Sequence, residues 1–259
     1  MQVDNIIFSI RDNIALIQFN RPKSYNALNS AVNADILTVL DEIESDKSIR
    51  ALIMTGNEQA FAAGADISEM VDAGPNKARE IMTIAAMIND RLEAFPIPVI
   101  AAINGLCWGG GFEMALACDF RIGGPKTSFK LPEVSLGIIP GANGTQRLIP
   151  LVGAAKTKEL VMLCTEVKGE EAFSLGLLTR LVHDSEVLSE AYHLAKDLKS
   201  MPGCALAAAI RSINAGYIHS IAEGRSAEST ECWLLFDTHD QKEGMSAFAE
   251  RRPPRYTNK

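Results

Sequence analysis

The sequence predicts an α/β fold, and three observations carry that expectation. Short β-rich runs recur through the first two thirds of the chain, helical periodicities fill the gaps between them, and strand patterns stop after residues 178–182. The opening reads as a hairpin: residues 6–10 and 14–19 are rich in isoleucine and phenylalanine, and Arg11, Asp12 and Asn13 between them have turn composition. Asn29 or Ser30 is placed to cap a helix, because Val32, Ile36, Val39, Leu40 and Ile43 follow at helical spacing. Strands are expected at 50–55 and 98–103, separated by a helix over about 76–93 with Ile81, Ile84, Met87, Ile88 and Leu92 on one stripe. From about residue 186 four helices follow, at 186–199, 203–218, 221–236 and 239–250. The chain therefore divides into a sheet-containing core, residues 1–195, and a helical C-terminal part, residues 196–259. No low-complexity linker separates them, so they are expected to pack as one unit.

Composition narrows the function. The 259 residues hold 25 basic and 32 acidic side chains, a net charge of −7, with 47% hydrophobic and 22% charged residues. This is an ordinary composition for a folded soluble protein, and the length is enough for a large core. The acidic balance disfavours nucleic acid as a partner, since phosphate binding needs a basic footprint. No apolar run approaches the ~18 uninterrupted residues of a membrane span, and no signal peptide is visible, so a cytoplasmic protein without a membrane partner is expected. The five cysteines are scattered and never in a CxxC pair, which reads as buried free thiols with no disulfide frame. The four histidines form no HExxH, and no metal site is expected.

The distribution of charge says more than its total. In the 25 residues from 94 to 118 the only Asp, Glu, Lys or Arg is Glu113; in the 39 residues from 120 to 158, six basic residues accompany one acid, Glu133. A lone carboxylate in such a stretch reaches water, pairs with a cation, or stays buried with a raised pKa, and the last state suits proton transfer near neutral pH. Gly109, Gly110 and Gly111 precede Glu113 and open a compact helix, whose start presents unpaired N–H groups. Glu113 falls three residues after Gly110 and so lies over it. A second small-residue turn, residues 62–67, contains Gly64, Ala65 and Asp66 and precedes a short helix through Met70. Two such turns can supply two convergent N–H groups for an oxyanion. GxxxxGK[ST], GxGxxG and GxSxG are all absent from the sequence.

Taken together these segments resemble the enoyl-CoA hydratase/isomerase, or crotonase, family. The resemblance runs along nearly the whole chain: residues 20–28 (NRPKSYNAL), 61–67 (FAAGADI), 98–105 (PVIAAING), 109–119 (GGGFEMALACD), 132–148 (from Pro132-Glu133 to Arg147-Leu148) and 243–248 (EGMSAF). It implies a crotonase-like spiral of ββα units followed by C-terminal helices that mediate trimer formation, giving a homotrimer or a homohexamer built as a dimer of trimers. It also implies an acyl-CoA thioester substrate, with the backbone N–H groups of Ala65 and Gly110 as the oxyanion hole. Ala63, Asp66, Ile67 and Ser68 would lie along the bound acyl-CoA, and Lys23 near its nucleotide. Glu113 and Glu133 match the two catalytic glutamates of hydratases, which favours water addition to a trans-2-enoyl-CoA, with no metal or redox cofactor. The alternatives are an enoyl-CoA isomerase, a specialised hydratase of a cyclic or branched acyl-CoA, and a non-catalytic oligomeric binding protein.

Three departures from the family pattern stand out. Ser68 occupies a position where many hydratases carry lysine, Asn143 replaces a common glycine, and Trp108 is bulkier than the usual residue before the triple glycine. The cluster of Arg251, Arg252 and Arg255 reads as a solvated tail, with CoA phosphate as the rarer alternative.

Overall fold

A computed structural model describes residues 3–218 and 220–258. Strands β1 (Ile6–Arg11) and β2 (Ile14–Phe19) form the expected antiparallel hairpin. Its turn is Asp12-Asn13 alone, with φ of +53° and +60°, the left-handed region that these two side chains tolerate and that matches the strand twist. Helix α1 (Ser30–Ser45) is capped by Asn29, whose side chain accepts the Val32 N–H at 2.9 Å. Its buried face carries the predicted stripe, plus Asn33.

One unit then repeats three times. β3 (Ala51–Thr55), β4 (Ala60–Ala62) and α2 (Pro75–Glu93) form the first, and β5 (Val99–Ile103), β6 (Leu106–Trp108) and α3 (Gly110–Ala117) the second. The third is β7 (Phe120–Gly123), β8 (Ser128–Lys130) and α4 (Gly144–Met162). β9 (Val167–Lys168), α5 (Gly169–Ser174) and β10 (Arg180–Leu181) close the spiral. The first strand of each unit joins a six-stranded sheet, order β1-β2-β3-β5-β7-β10; the second joins a four-stranded sheet, order β4-β6-β8-β9. All pairings are parallel except β1–β2 and β8–β9. The residue pattern does not announce the second sheet, whose strands of two or three residues are too short to show alternation.

β3 and β5 are buried along their whole length, as parallel strands covered on both faces are. On one face Leu52, Met54, Val99 and Ala101 meet α1 and the second sheet's Phe61 and Phe129. On the other, Ile53, Ile100 and Ala102 meet Val187, Ala191, Leu194 and Ala195 of α6 (Val187–Lys199). Residues 195 and 196, on either side of the expected division, both lie within α6. The helices α7 (Gly203–Ile218) and α8 (Ile221–Leu235) pack as a hairpin, where a β-carbon on Gly224 would stand 2.6 Å from Gly216 Cα. After α9 (His239–Glu250) the chain folds back on the start of that helix: buried Asp240 accepts the N–H groups of Thr257 and Asn258 at 2.7 Å each. Of the five free cysteines only Cys107 and Cys118 are buried, and Cys232 is exposed, so the expectation of buried thiols holds for two. Among the described residues no helix is long and apolar enough to cross a membrane.

Candidate active site

The turns that link the two sheets to the helices meet at a cavity of about 240 Å³. α3 leaves β6 through Gly109, which sits at φ +49° and donates its N–H to Lys130 O at 2.8 Å. A side chain is excluded there twice over, because a β-carbon would also stand 2.8 Å from Glu133 Oε1. At Gly111 a β-carbon would overlap the Ala62 carbonyl oxygen, so the first turn of α3 rests directly on β4. Gly64, at φ +104°, turns the chain so that Ala65 faces the start of α3. The position of a β-carbon on Gly110 is 3.7 Å from Ala65 N, so the two residues adjoin on the cavity wall. Leu28 pairs with this loop through Gly64 O (2.8 Å) and the Asp66 N–H (2.9 Å), passing over the Ala65 N–H. Among the described residues neither the Ala65 nor the Gly110 N–H has a protein acceptor.

The two lone glutamates face the same cavity. Glu113, in the first turn of α3, is 3% exposed; its Oε1 accepts the N–H groups of Ala142 at 2.9 Å and Gly144 at 2.8 Å. Those donors come from the turn before α4, where Asn143 takes φ +71°. Asparagine tolerates that left-handed conformation, which explains how it can stand in place of glycine, and its Nδ2 donates to Asp90 Oδ1 at 3.0 Å. Glu133 opens a 3-10 turn, Glu133–Leu136, and is 9% exposed, with Oε2 buried and, among the described residues, without a hydrogen-bond partner. Burial raises both carboxyls. At Glu113 the two N–H bonds and the Arg147 charge oppose the shift. At Glu133 burial outweighs a bond from its own backbone N–H and is reinforced by the nearby Glu113 charge, and its pKa rises to about 7.

Of the residues singled out in the sequence, Ala63, Ala65, Ile67, Gly110, Glu113 and Glu133 line this cavity. Asp66 and Ser68 do not. Asp66 caps the 3-10 turn Ile67–Glu69, taking the Ser68 hydroxyl at 2.7 Å and pairing with Arg21 at 3.0 Å, so its carboxylate is already engaged. Lys23 lies in the 3-10 turn Pro22–Ser24, away from the cavity wall. Arg252 is held by Glu243 at 2.6 and 2.9 Å and by Glu250 at 2.6 Å, so it is not free for a phosphate. Trp108 lines the cavity and anchors its indole N–H on Ser128 Oγ at 2.8 Å. Among the described residues no three His, Cys, Asp or Glu side chains form a metal-sized cluster.

Three supporting residues escape a reading of the sequence. Ala142 and Gly144 act through their backbone, which no side-chain pattern reveals. Arg147, 5% exposed, pairs with Asp90 (2.8 Å) and Glu93 (2.9 Å) while donating to Ala142 O at 3.3 Å, bracing the turn that holds Glu113. Its signal is the conjunction of an arginine with the motif 144–148, visible in sequence without a role.

The geometry can be set beside known proteins. The family profile of the enoyl-CoA hydratase/isomerase family matches residues 9–259. The chain is 39% identical to the short-chain-enoyl-CoA hydratase of Clostridium acetobutylicum over 253 residues, 97% of each chain. It is 38% identical to the crotonyl-CoA hydratase of Syntrophomonas wolfei over the full length of both. The crystal structure of an enoyl-CoA hydratase from Bacillus anthracis superposes with a TM-score of 0.94 at 34% identity, covering 99% of this chain and all of that one. The repeated ββα spiral is thus the crotonase fold, and the chain belongs to the enoyl-CoA hydratase/isomerase family.

Proposed function

We propose that this protein is an enoyl-CoA hydratase, a hydro-lyase that reversibly adds water to a trans-2-enoyl-CoA and gives the 3-hydroxyacyl-CoA. The observation that carries the reading is a pair of buried carboxylates with unequal surroundings, set in one cavity with two unengaged N–H groups. The thioester carbonyl oxygen fits between the N–H groups of Ala65 and Gly110 at the positive end of α3. Negative charge gathers on that oxygen as water adds, and losing one such donor costs roughly 3–4 kcal/mol of barrier in other enzymes. Glu113, whose carboxylate form the two N–H bonds favour against burial, takes a proton from water as its oxygen bonds to C3. Glu133, with a pKa near neutrality and no partner on Oε2, gives its proton to C2. The sum is one water added; a proton passed from Glu113 to Glu133 restores the starting state.

Coenzyme A enters as part of the substrate, and the reaction as written draws on no other cofactor. Ala63 and Ile67 on the cavity wall fit an acyl-CoA contact, while Asp66 and Ser68 shape the turn beside it. A homotrimer, or a hexamer of two trimers, belongs to the same reading, as does a cytoplasmic location, which five free thiols suit.

The test is hydration of crotonyl-CoA by the wild type, Glu113→Gln and Glu133→Gln. Each substitution should lower kcat by roughly 10²–10⁴-fold, the usual range for a lost acid or base. A wild type that hydrates no enoyl-CoA, or variants at full rate, would overturn the assignment. Double-bond isomerisation that survives Glu113→Gln while hydration disappears would instead assign Glu133 a second, isomerase role.

A further inference from the structure

The acyl side of the cavity is not uniformly apolar. Ile81, Met82, Ala85 and Asn89 of α2 line it at helical spacing, so Asn89 continues the stripe against which an acyl chain would lie. Asn89 is 1% exposed. Its Nδ2 donates to Ala142 O at 3.1 Å, which fixes the amide orientation and leaves Oδ1 buried with no partner among the described residues. A second asparagine, Asn33 of α1, lines the same cavity at 7% exposure, on a helix face otherwise made of Val32, Ile36, Val39, Leu40 and Ile43. Among the described residues its side-chain amide bonds to no protein group. The Asn89 oxygen, kept out of water on an otherwise apolar helix face, is unfavourable unless a ligand or bound water completes it, whereas the Asn33 amide is not sealed from solvent and offers a second polar group beside it.

We propose that these two residues form a polar subsite, with Asn89 selecting acyl chains that carry a neutral hydrogen-bond donor, a hydroxyl group. The inference rests on the hydratase reading and names its substrate class. The free atom on Asn89 is an acceptor, so it requires a donor. A carboxylate does not fit: among the described residues the cavity wall has no lysine, arginine or histidine, and it already holds two glutamates. The cavity, about 240 Å³, must also take the thioester end of the acyl group, so the chain is short.

Binding of saturated, unreactive acyl-CoA pairs tests this without requiring turnover. The pairs are 4-hydroxybutanoyl-CoA against pentanoyl-CoA, and 5-hydroxypentanoyl-CoA against hexanoyl-CoA, each matching a hydroxyl to a methyl of similar size. Titration calorimetry on the wild type should show the hydroxyl member binding roughly tenfold tighter or more in at least one pair. Asn89→Leu should erase or reverse that preference, and Asn33→Leu should reduce it. A wild type that binds the methyl member as tightly in both pairs overturns the subsite, with ordered water then completing Asn89. So does an Asn89→Leu variant that weakens both members equally, which would make Asn89 only a support for Ala142. Crotonyl-CoA hydration measured on the same wild-type sample reports separately on the hydratase assignment.

Discussion

At the scale of single residues, two glutamates of one cavity are made different by their hydrogen bonds. Glu113 has two backbone donors on one oxygen, whereas an oxygen of Glu133 has none. Burial acts on both; at Glu113 it is opposed by two donors and a cation, and at Glu133 by its own backbone N–H while the Glu113 charge adds to it. Part of the rise at Glu133 comes from the charge on Glu113, so Glu113→Gln should lower the titration of Glu133 below about 7. Carbon-detected NMR of labelled glutamate side chains measures this directly; an unmoved titration would mean that the two carboxyls do not sense each other. The raised pKa also has a sign in stability. Between the ordinary value of 4.5 and about 7 the folded protein keeps a proton that the unfolded chain has released. The contribution of Glu133 is therefore fully present below about pH 4.5 and is lost as pH rises through 7. Urea unfolding should show Glu133→Gln gaining stability relative to wild type between pH 5 and pH 8.

Elements bring those residues together, and glycines decide how closely. α3 can begin beside Glu133 only because Gly109 has no side chain and accepts a positive φ. Gly109→Ala should cost about 1–3 kcal/mol in stability through backbone strain, and lower kcat at least tenfold as the new methyl displaces Glu133 Oε1. Thermal unfolding and crotonyl-CoA kinetics check the two effects; a stable variant with wild-type kcat would show that α3 does not position Glu133. Much of this architecture is legible from sequence, since the α1 stripe, the largely apolar strands at 51–55 and 99–103 and the triple glycine all state their periods or constraints locally. What is not legible depends on contacts between distant segments. The strands of the second sheet are too short to have a pattern, the donors to Glu113 are backbone groups 29 and 31 residues away, and Asn89 looks like any polar residue within a helix. Trp108 is a middle case: its bulk is visible in the sequence, but its seat on Ser128 is not.

At the scale of the molecule, the C-terminal helices carry apolar surface that the single chain leaves in water. Phe248 is 88% exposed, Ile221 72%, Trp233 71% and Leu234 63%, on α8 and α9, the elements farthest along the chain from the spiral's sheets. Scattered exposed hydrophobics need no explanation, but four large ones on two neighbouring elements at one end of the chain favour an interface between copies. Such an interface would give the acidic, net −7 chain a way to hide apolar area without enlarging its own core. Sedimentation velocity at micromolar concentration should therefore show a trimer or hexamer. Trp233→Glu and Phe248→Glu should shift the protein toward smaller species, because each would bury an unpaired carboxylate at the contact. Circular dichroism distinguishes lost assembly from lost folding. A wild type that sediments as a monomer across that range would show that these side chains serve some other contact, while the cavity between α2, α3 and the Glu133 turn is lined within one chain and does not depend on assembly.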